Sequence, residues 1–293
     1  MTSSSDVLIV GAGAAGLAAA QALTAAGRHV TILEARDRIG GRIFTHPAST
    51  SELPIELGAE FIHGRPAEIF RLADHAGLAV QELRGEFWRS QNGKLCQDDF
   101  PSERSPVFQR MEDYRGPDIS FRRFLDECCA DLPRQEKMWA LAYIEGFHAA
   151  NAELISLRSI VEGEKAEEEI EGDRQFRLAQ GYSGLVEALR QAIVPALCEW
   201  RLNHVVRAIR WRPGSVEVEA GSAAEGARQL FRTPCAVITL PLGILQSPPQ
   251  SPGAVQFFPA LEMKQAALGQ LAMGSAVHVT LRFREAFWRD PAL

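Results

Sequence analysis

The chain opens with a change of hydrophobic period. Asp6 to Val10 (DVLIV) is an unbroken apolar run suited to a strand buried on both faces, while Ala14 to Ala26 is alanine-rich and helical. Gly27 predicts the cap of that helix, and His29 to Ala35 (HVTILEA) returns as a second strand, giving a βαβ opening. Pro66 to Ala76 then sets Ile69, Leu72, Ala73 and Ala76 on one helical face, with proline at its start and Gly77 after its end. From roughly residue 85 to 180 the pattern is more polar and irregular, with helical stretches at Phe121 to Cys129 and Glu136 to Phe147, which predicts a separate lobe.

Near Gly181 the pattern changes again. Ser183 is placed to cap a helix carrying Leu185, Val186, Leu189 and Ile193. Strands are predicted at Val205 to Trp211 and Ser215 to Glu219, joined by a Pro213-Gly214 turn, and at Cys235 to Leu240, stopped by Pro241. Pro259 to Leu271 reads as helix. Ala276 to Phe283 (AVHVTLRF) alternates, with Val277, Val279, Leu281 and Phe283 on one face and His278, Thr280 and Arg282 on the other, and so predicts a strand.

Composition adds exclusions. A 293-residue chain that is 46% hydrophobic can bury a large core, and its net charge of −6 comes without the lysine and arginine cluster that would track nucleic acid. The apolar run from Val7 to Gly27 lacks a basic leader and is broken by glycines, against a membrane span or signal peptide. Cys96, Cys128, Cys129, Cys198 and Cys235 have no C-x-x-C spacing; neither a disulfide framework nor a zinc site is expected, and a cytoplasmic setting fits. Cys128 and Cys129 read as buried thiols on a helix. The acidic stretch Glu162 to Asp173 reads as a solvated helix face, with attraction of cationic ligands as the alternative.

The chemistry-bearing motif is Gly11-Ala-Gly13-Ala-Ala-Gly16, the G-x-G-x-x-G spacing between a strand and a helix. Its glycines serve a tight turn, backbone approach to a pyrophosphate and close helix contact, and the helix N-terminus then faces the phosphates. Glu34 closes the second strand, where a carboxylate accepts ribose hydroxyls and disfavours the 2′-phosphate of NADP. NAD and FAD both remain open on this motif.

The following Glu34-Ala35-Arg36-Asp37-Arg38-Ile39-Gly40-Gly41-Arg42 resembles the second FAD signature of the flavin-containing amine oxidase family. Arg42 can fork onto the cofactor phosphates. Arg36 and Arg38 otherwise read as a solvated face, Arg38 more so. Glu56 to Gly64, with Gly58, Ala59 and Glu60, is similar to the polyamine oxidase segment that lies along the flavin ring. Leu202 to Val206 resembles the element whose backbone contacts adenine, and Thr239 to Leu245 and Phe287-Trp288 match further family motifs.

The resemblance implies an α/β, glutathione-reductase-like Rossmann-type FAD-binding domain (1–80 and 181–267) interleaved with an α+β substrate domain (81–180 and 268–293). It also implies non-covalent FAD held by Gly11, Gly13, Ala15, Gly16, Glu34, Ala35, Arg36, Gly40, Gly41, Arg42, Gly58, Ala59, Glu60 and Val206. The activity implied is oxidation of an amine C–N bond to an imine, with hydride transfer to flavin and O2 as acceptor. His63 would lie near the substrate amine, and His278 stands where the family usually places a lysine at the flavin N5. Family members carry a further C-terminal segment, so a fragment, or a chain completed by a second chain, is expected. A catalytically silent FAD-binding subunit and a desaturase or protoporphyrinogen oxidase type of flavoenzyme are the alternative readings.

Overall fold

The computed structural model describes residues 5–46, 54–84, 87–91, 94–98, 105–222 and 228–289. The Cys96 side chain lies outside what is described. Two compact units emerge, one from Met1–Phe61, Ala67–Gln81 and Arg177–Met273, the other from Ile62–Pro66, Glu82–Phe176 and Gly274–Leu293.

In the first unit the βαβ opening forms as its pattern predicts. β1 (Val7–Val10), α1 (Ala14–Ala25) and β2 (Val30–Leu33) are joined by the Cys198–Arg201 and Cys235–Ile238 strands in a four-stranded parallel sheet, with β1 between β2 and Cys235–Ile238. The reason β1 is apolar at every position is visible in its neighbours. Val7 and Ile9 join Leu17 and Ala20 of α1 and Val186 of the Ser183–Gln191 helix, whereas Leu8 and Val10 meet Val206, Ile209, Val218 and Ala220 on the other face. Those last residues belong to an antiparallel meander of Val205–Arg212, Ser215–Gly221 and Arg228–Thr233, with Gln256–Phe258 added in parallel. A sheet covered on both faces has no polar side, hence the continuous run. At the end of α1, Gly27 donates to Thr24 O and Arg28 to Leu23 O, satisfying carbonyls that the helix leaves open.

The second unit is built around helices. Pro106–Asp113, Phe121–Cys128, Arg134–Gly146 and Leu157–Glu168 enclose Phe108, Met111, Phe121, Phe124, Leu125, Ile144 and Ile160. Serines cap three of them: Ser105, Ser120 and Ser156 each accept from a backbone N–H of the first turn. Cys129 is buried and burial pushes its thiol up, while Cys128 is half-buried. Glu164, on the acidic helix, departs from the solvated reading. Burial, followed by the nearby Glu112, Glu167 and Glu168, pushes its carboxyl up to about 7.

Two further expectations are corrected. Residues 276–283 form no strand: Val277 is 90% exposed, and no strand among the described residues pairs with this stretch. Alternation creates a face, but a strand also requires a neighbour for its N–H and C=O groups. Ser183 does not cap its helix either. It is the first helical residue, and its hydroxyl accepts from the Thr45 N–H at 2.9 Å. No described helix is long and apolar enough to cross a membrane.

Candidate cofactor-binding site

The glycine turn is set by contacts that tolerate nothing larger than glycine. Gly11 has φ +105°, and a Cβ on Gly16 would stand 1.9 Å from the Gly11 carbonyl oxygen, so strand and helix meet at backbone distance. Thr239, just past the Cys235–Ile238 strand, braces the turn from the other side. Its hydroxyl lies 2.9 Å from Val10 O and 3.1 Å from Gly11 O, and its N–H donates to Val10 O. Gly13 is the α1 N-cap and offers no side-chain cap, leaving the leading N–H groups of α1 for a ligand anion.

Glu34 is 8% exposed and closes β2. One carboxylate oxygen accepts from Ala12 N at 2.8 Å and the other from Arg36 N at 3.0 Å. A carboxylate has about four lone-pair positions, so each oxygen keeps capacity for a ligand hydroxyl. The backbone around Glu34 is fixed twice over: its N–H donates to Arg201 O, and its carbonyl accepts from His204 N. Asn203 N donates to Arg36 O, so the turn leading to Val206 runs beside Glu34–Arg36. The Val206 side chain points into the core, 5% exposed; Ala15 and Ala35 are exposed.

Gly40 N donates to Ala12 O, and Gly40 pairs with Gly13, bringing the second glycine pair against the phosphate turn. Arg38 is the organiser of this loop, which corrects its solvated reading. It is half-buried, donates to the carbonyls of Ile39, Gly41 and Ile43, and lies 4.4 Å over the Phe44 ring. Burial lowers its pKa. Arg36 is exposed and donates to Gly41 O; Arg42 is exposed at the loop's outer edge. From there Ala59 N donates to Arg42 O and Leu57 N to Phe44 O, so Gly58 and Ala59 lie along the same strip. The Glu60 carboxylate pairs with Arg177, whose guanidinium lies 5.1 Å over Phe61.

The first unit therefore gathers the glycine turn, Glu34, the Gly40–Arg42 loop, Gly58, Ala59 and Val206. His63 and His278 fall in the second unit. There His63 is exposed and meets Phe147 edge-on at 5.5 Å, Phe147 stacks on Tyr143 at 5.2 Å, and His148 meets both. His278 is exposed on the stretch that forms no strand.

A parallel sheet whose first strand, glycine turn and helix end beside a buried carboxylate defines a dinucleotide-binding α/β protein. The chain belongs to the flavin containing amine oxidoreductase family, whose pattern matches residues 14–115 and 118–292. It is 28% identical to polyamine oxidase 2 of Arabidopsis thaliana over 98% of this chain and 60% of that protein. It is 30% identical to a lysine-specific histone demethylase 1 homolog of Oryza sativa over 97% of this chain and 38% of that one. The fold is also that of cyclohexylamine oxidase from Brevibacterium oxydans (TM-score 0.71, 21% identity) and of putrescine oxidase bound to putrescine (TM-score 0.69, 22% identity). Each comparison covers 90% of this chain and 62% of the other. The chain thus spans about 60% of the length of the polyamine oxidase it matches.

Proposed function

We propose that this chain is the cofactor-holding portion of a flavin-dependent amine oxidase, with FAD bound non-covalently by the first unit. The observation that carries the reading is the buried Glu34 carboxylate beside the uncapped N-terminus of α1: an acceptor for ribose hydroxyls next to donors for a pyrophosphate. The residues present fit the cofactor. Gly11 and Gly16 close the turn, Thr239 fixes it, and Arg38 holds the Gly40–Arg42 loop against it.

A bound flavin supplies the acceptor for a hydride from the carbon beside an amine, with O2 as the final acceptor and the imine released to hydrolysis. What this chain contributes is orientation: Glu34 anchors the ribose, the α1 N-terminus neutralises the phosphates, and the exposed Arg42 is assigned to the phosphates by the family signature that carries it. On the strength of the family segments that carry them, we assign His63 to the neighbourhood of the substrate amine and His278 to the family lysine position at the flavin N5. The family membership and the polyamine oxidase and putrescine oxidase likenesses support an amine substrate.

The test is a flavin spectrum of the purified chain followed by anaerobic mixing with a panel of mono-, di- and polyamines. Bleaching of bound flavin by an amine supports the oxidase reading. Flavin that binds and stays oxidised with every amine indicates a cofactor-binding portion without activity of its own.

A further inference from the structure

The N-cap of the Ser183–Gln191 helix, Tyr182, forms no side-chain cap. Its leading N–H groups are nonetheless met, by residues far away in the chain. Tyr182 N donates to Glu56 Oε1 at 2.7 Å, and Ser183 N donates to Thr45 Oγ1 at 2.9 Å. The Thr45 hydroxyl in turn donates to Glu56 Oε2 at 2.8 Å, while Thr45 N donates to Ser183 Oγ at 2.9 Å. These four bonds close on themselves, and Glu56 is 7% exposed at their centre. Gly181 permits the approach: a Cβ there would stand 2.6 Å from Thr45 Cγ2 and 3.1 Å from Glu56 Oε1.

Both strands leaving this clasp lead toward the cofactor site. Thr45–His46 (β3) pairs with Ile55–Glu56 (β4), and beyond the pairing Leu57 N donates to Phe44 O and Ala59 N to Arg42 O. Gly58 is pressed to the same strip, since a Cβ on it would come within 2.0 Å of Arg42 O. Residues 42–44 and 57–59 are therefore held in one register, and that register is anchored at Glu56. The other end of the cofactor site has separate anchors: Glu34 is fixed by Ala12, Arg36, Arg201 and His204, and the glycine turn by Thr239.

We infer that Glu56 is a positioning residue for the flavin half of the cofactor, acting through Thr45 and the Ser183–Gln191 helix to hold residues 42–44 against 57–59. The inference rests on the flavin reading above. With the adenosine half at Glu34 and the phosphates over Gly11–Gly16, the remaining half of the cofactor extends past Gly40–Arg42 toward Gly58 and Ala59. Loss of the clasp should then separate FAD, which spans both ends, from ADP, which occupies only the first.

The experiment titrates the full chain with FAD and with ADP in wild type, Glu56→Gln, Thr45→Val and Thr45→Ser, alongside thermal melts. Glu56→Gln keeps an acceptor for Tyr182 N but presents an N–H donor in place of the carboxylate oxygen that accepts the Thr45 hydroxyl proton; Thr45→Val removes the bridging hydroxyl. Both should weaken FAD by roughly tenfold, the scale of one charge-assisted hydrogen bond, and leave ADP within about twofold. Thr45→Ser, which keeps the hydroxyl, should bind FAD like wild type. FAD and ADP weakening together would assign the clasp to general stability and overturn the inference, as would unchanged FAD affinity in both Glu56→Gln and Thr45→Val. A wild-type chain that binds ADP but not FAD would overturn the flavin reading itself, and the wild-type arm distinguishes that outcome from failure of the clasp alone.

Discussion

Val7–Val10 and residues 276–283 both carry β-branched and large apolar side chains at strand spacing, yet β1 is buried at all four positions whereas Val279 and Leu281 are 68% and 69% exposed. The difference lies in what surrounds them. β1 has a parallel strand on each side, helices on one face and a meander on the other. Among the described residues, 276–283 has no strand beside it. Apolar spacing therefore states which side chains seek a common face, and the rest of the chain decides whether that face is covered. The candidate cofactor site is tied to the covered case: the glycine turn emerges from β1, and its geometry is inherited from the sheet.

The most severe way to break the covered region is at its closest approach. Gly16→Val places side-chain atoms where even a Cβ stands 1.9 Å from Gly11 O, a backbone atom that can yield only by opening the turn. We expect a loss on the order of 4 kcal/mol, or failure of the first unit to fold, read by thermal melting and circular dichroism. A melt like that of wild type would show that strand and helix do not meet as described.

Ile9→Ala comes next and removes a fully buried side chain from between β2, α1 and Cys235–Ile238. A cost of roughly 2–5 kcal/mol is expected, against less than about 0.5 kcal/mol for Val279→Ala on the exposed stretch. Comparable destabilisation by the two, in parallel chemical denaturation curves, would show that 276–283 is buried after all and would remove the contrast.

A smaller effect sharpens the second unit. The Glu164 carboxyl is pushed up to about 7 by burial and by Glu112, Glu167 and Glu168. The folded state holds this proton more tightly than the unfolded chain, so stability declines as pH rises from about 4.5 and the contribution is gone above about 7. Glu164→Gln, which stays neutral, should raise the midpoint at pH 8 by the equivalent of roughly 1–2 kcal/mol and change little at pH 4, allowing for partial solvent access. Equal shifts at both pH values would mean that the glutamine acts through shape and not through charge.

Much of the fold was legible where its causes are local. The βαβ opening, the Gly27 cap and the helical stretches at Phe121 to Cys129 and Glu136 to Phe147 follow from period and turn chemistry within a turn or two of each residue, the last forming from Arg134. The glycine spacing and Glu34 were legible for the same reason. What escaped depends on residues distant in sequence: Thr239 braces a carbonyl 229 residues away, Glu56 accepts from an N–H 126 residues away, and Ser183 serves Thr45 across 138. Ser183 illustrates the cost of local reading. A serine ahead of an apolar helical pattern is ordinarily a cap, but here Thr45 and Glu56 already meet the helix N-terminus, and its hydroxyl is used elsewhere. Arg38 reads as solvated from sequence because nothing in its neighbours signals that three carbonyls of its own loop converge on it.

On the proposed reading, the first unit holds FAD through the buried carboxylate and the uncapped helix N-terminus beside it. Titration of the full chain with FAD, in wild type and Glu34→Ala, tests it most directly. One FAD per wild-type chain is expected, with an affinity weaker by roughly 100-fold in the variant, the scale of two charge-assisted hydrogen bonds to ribose. Equal affinity for FAD in the two proteins, with both folded, would contradict it.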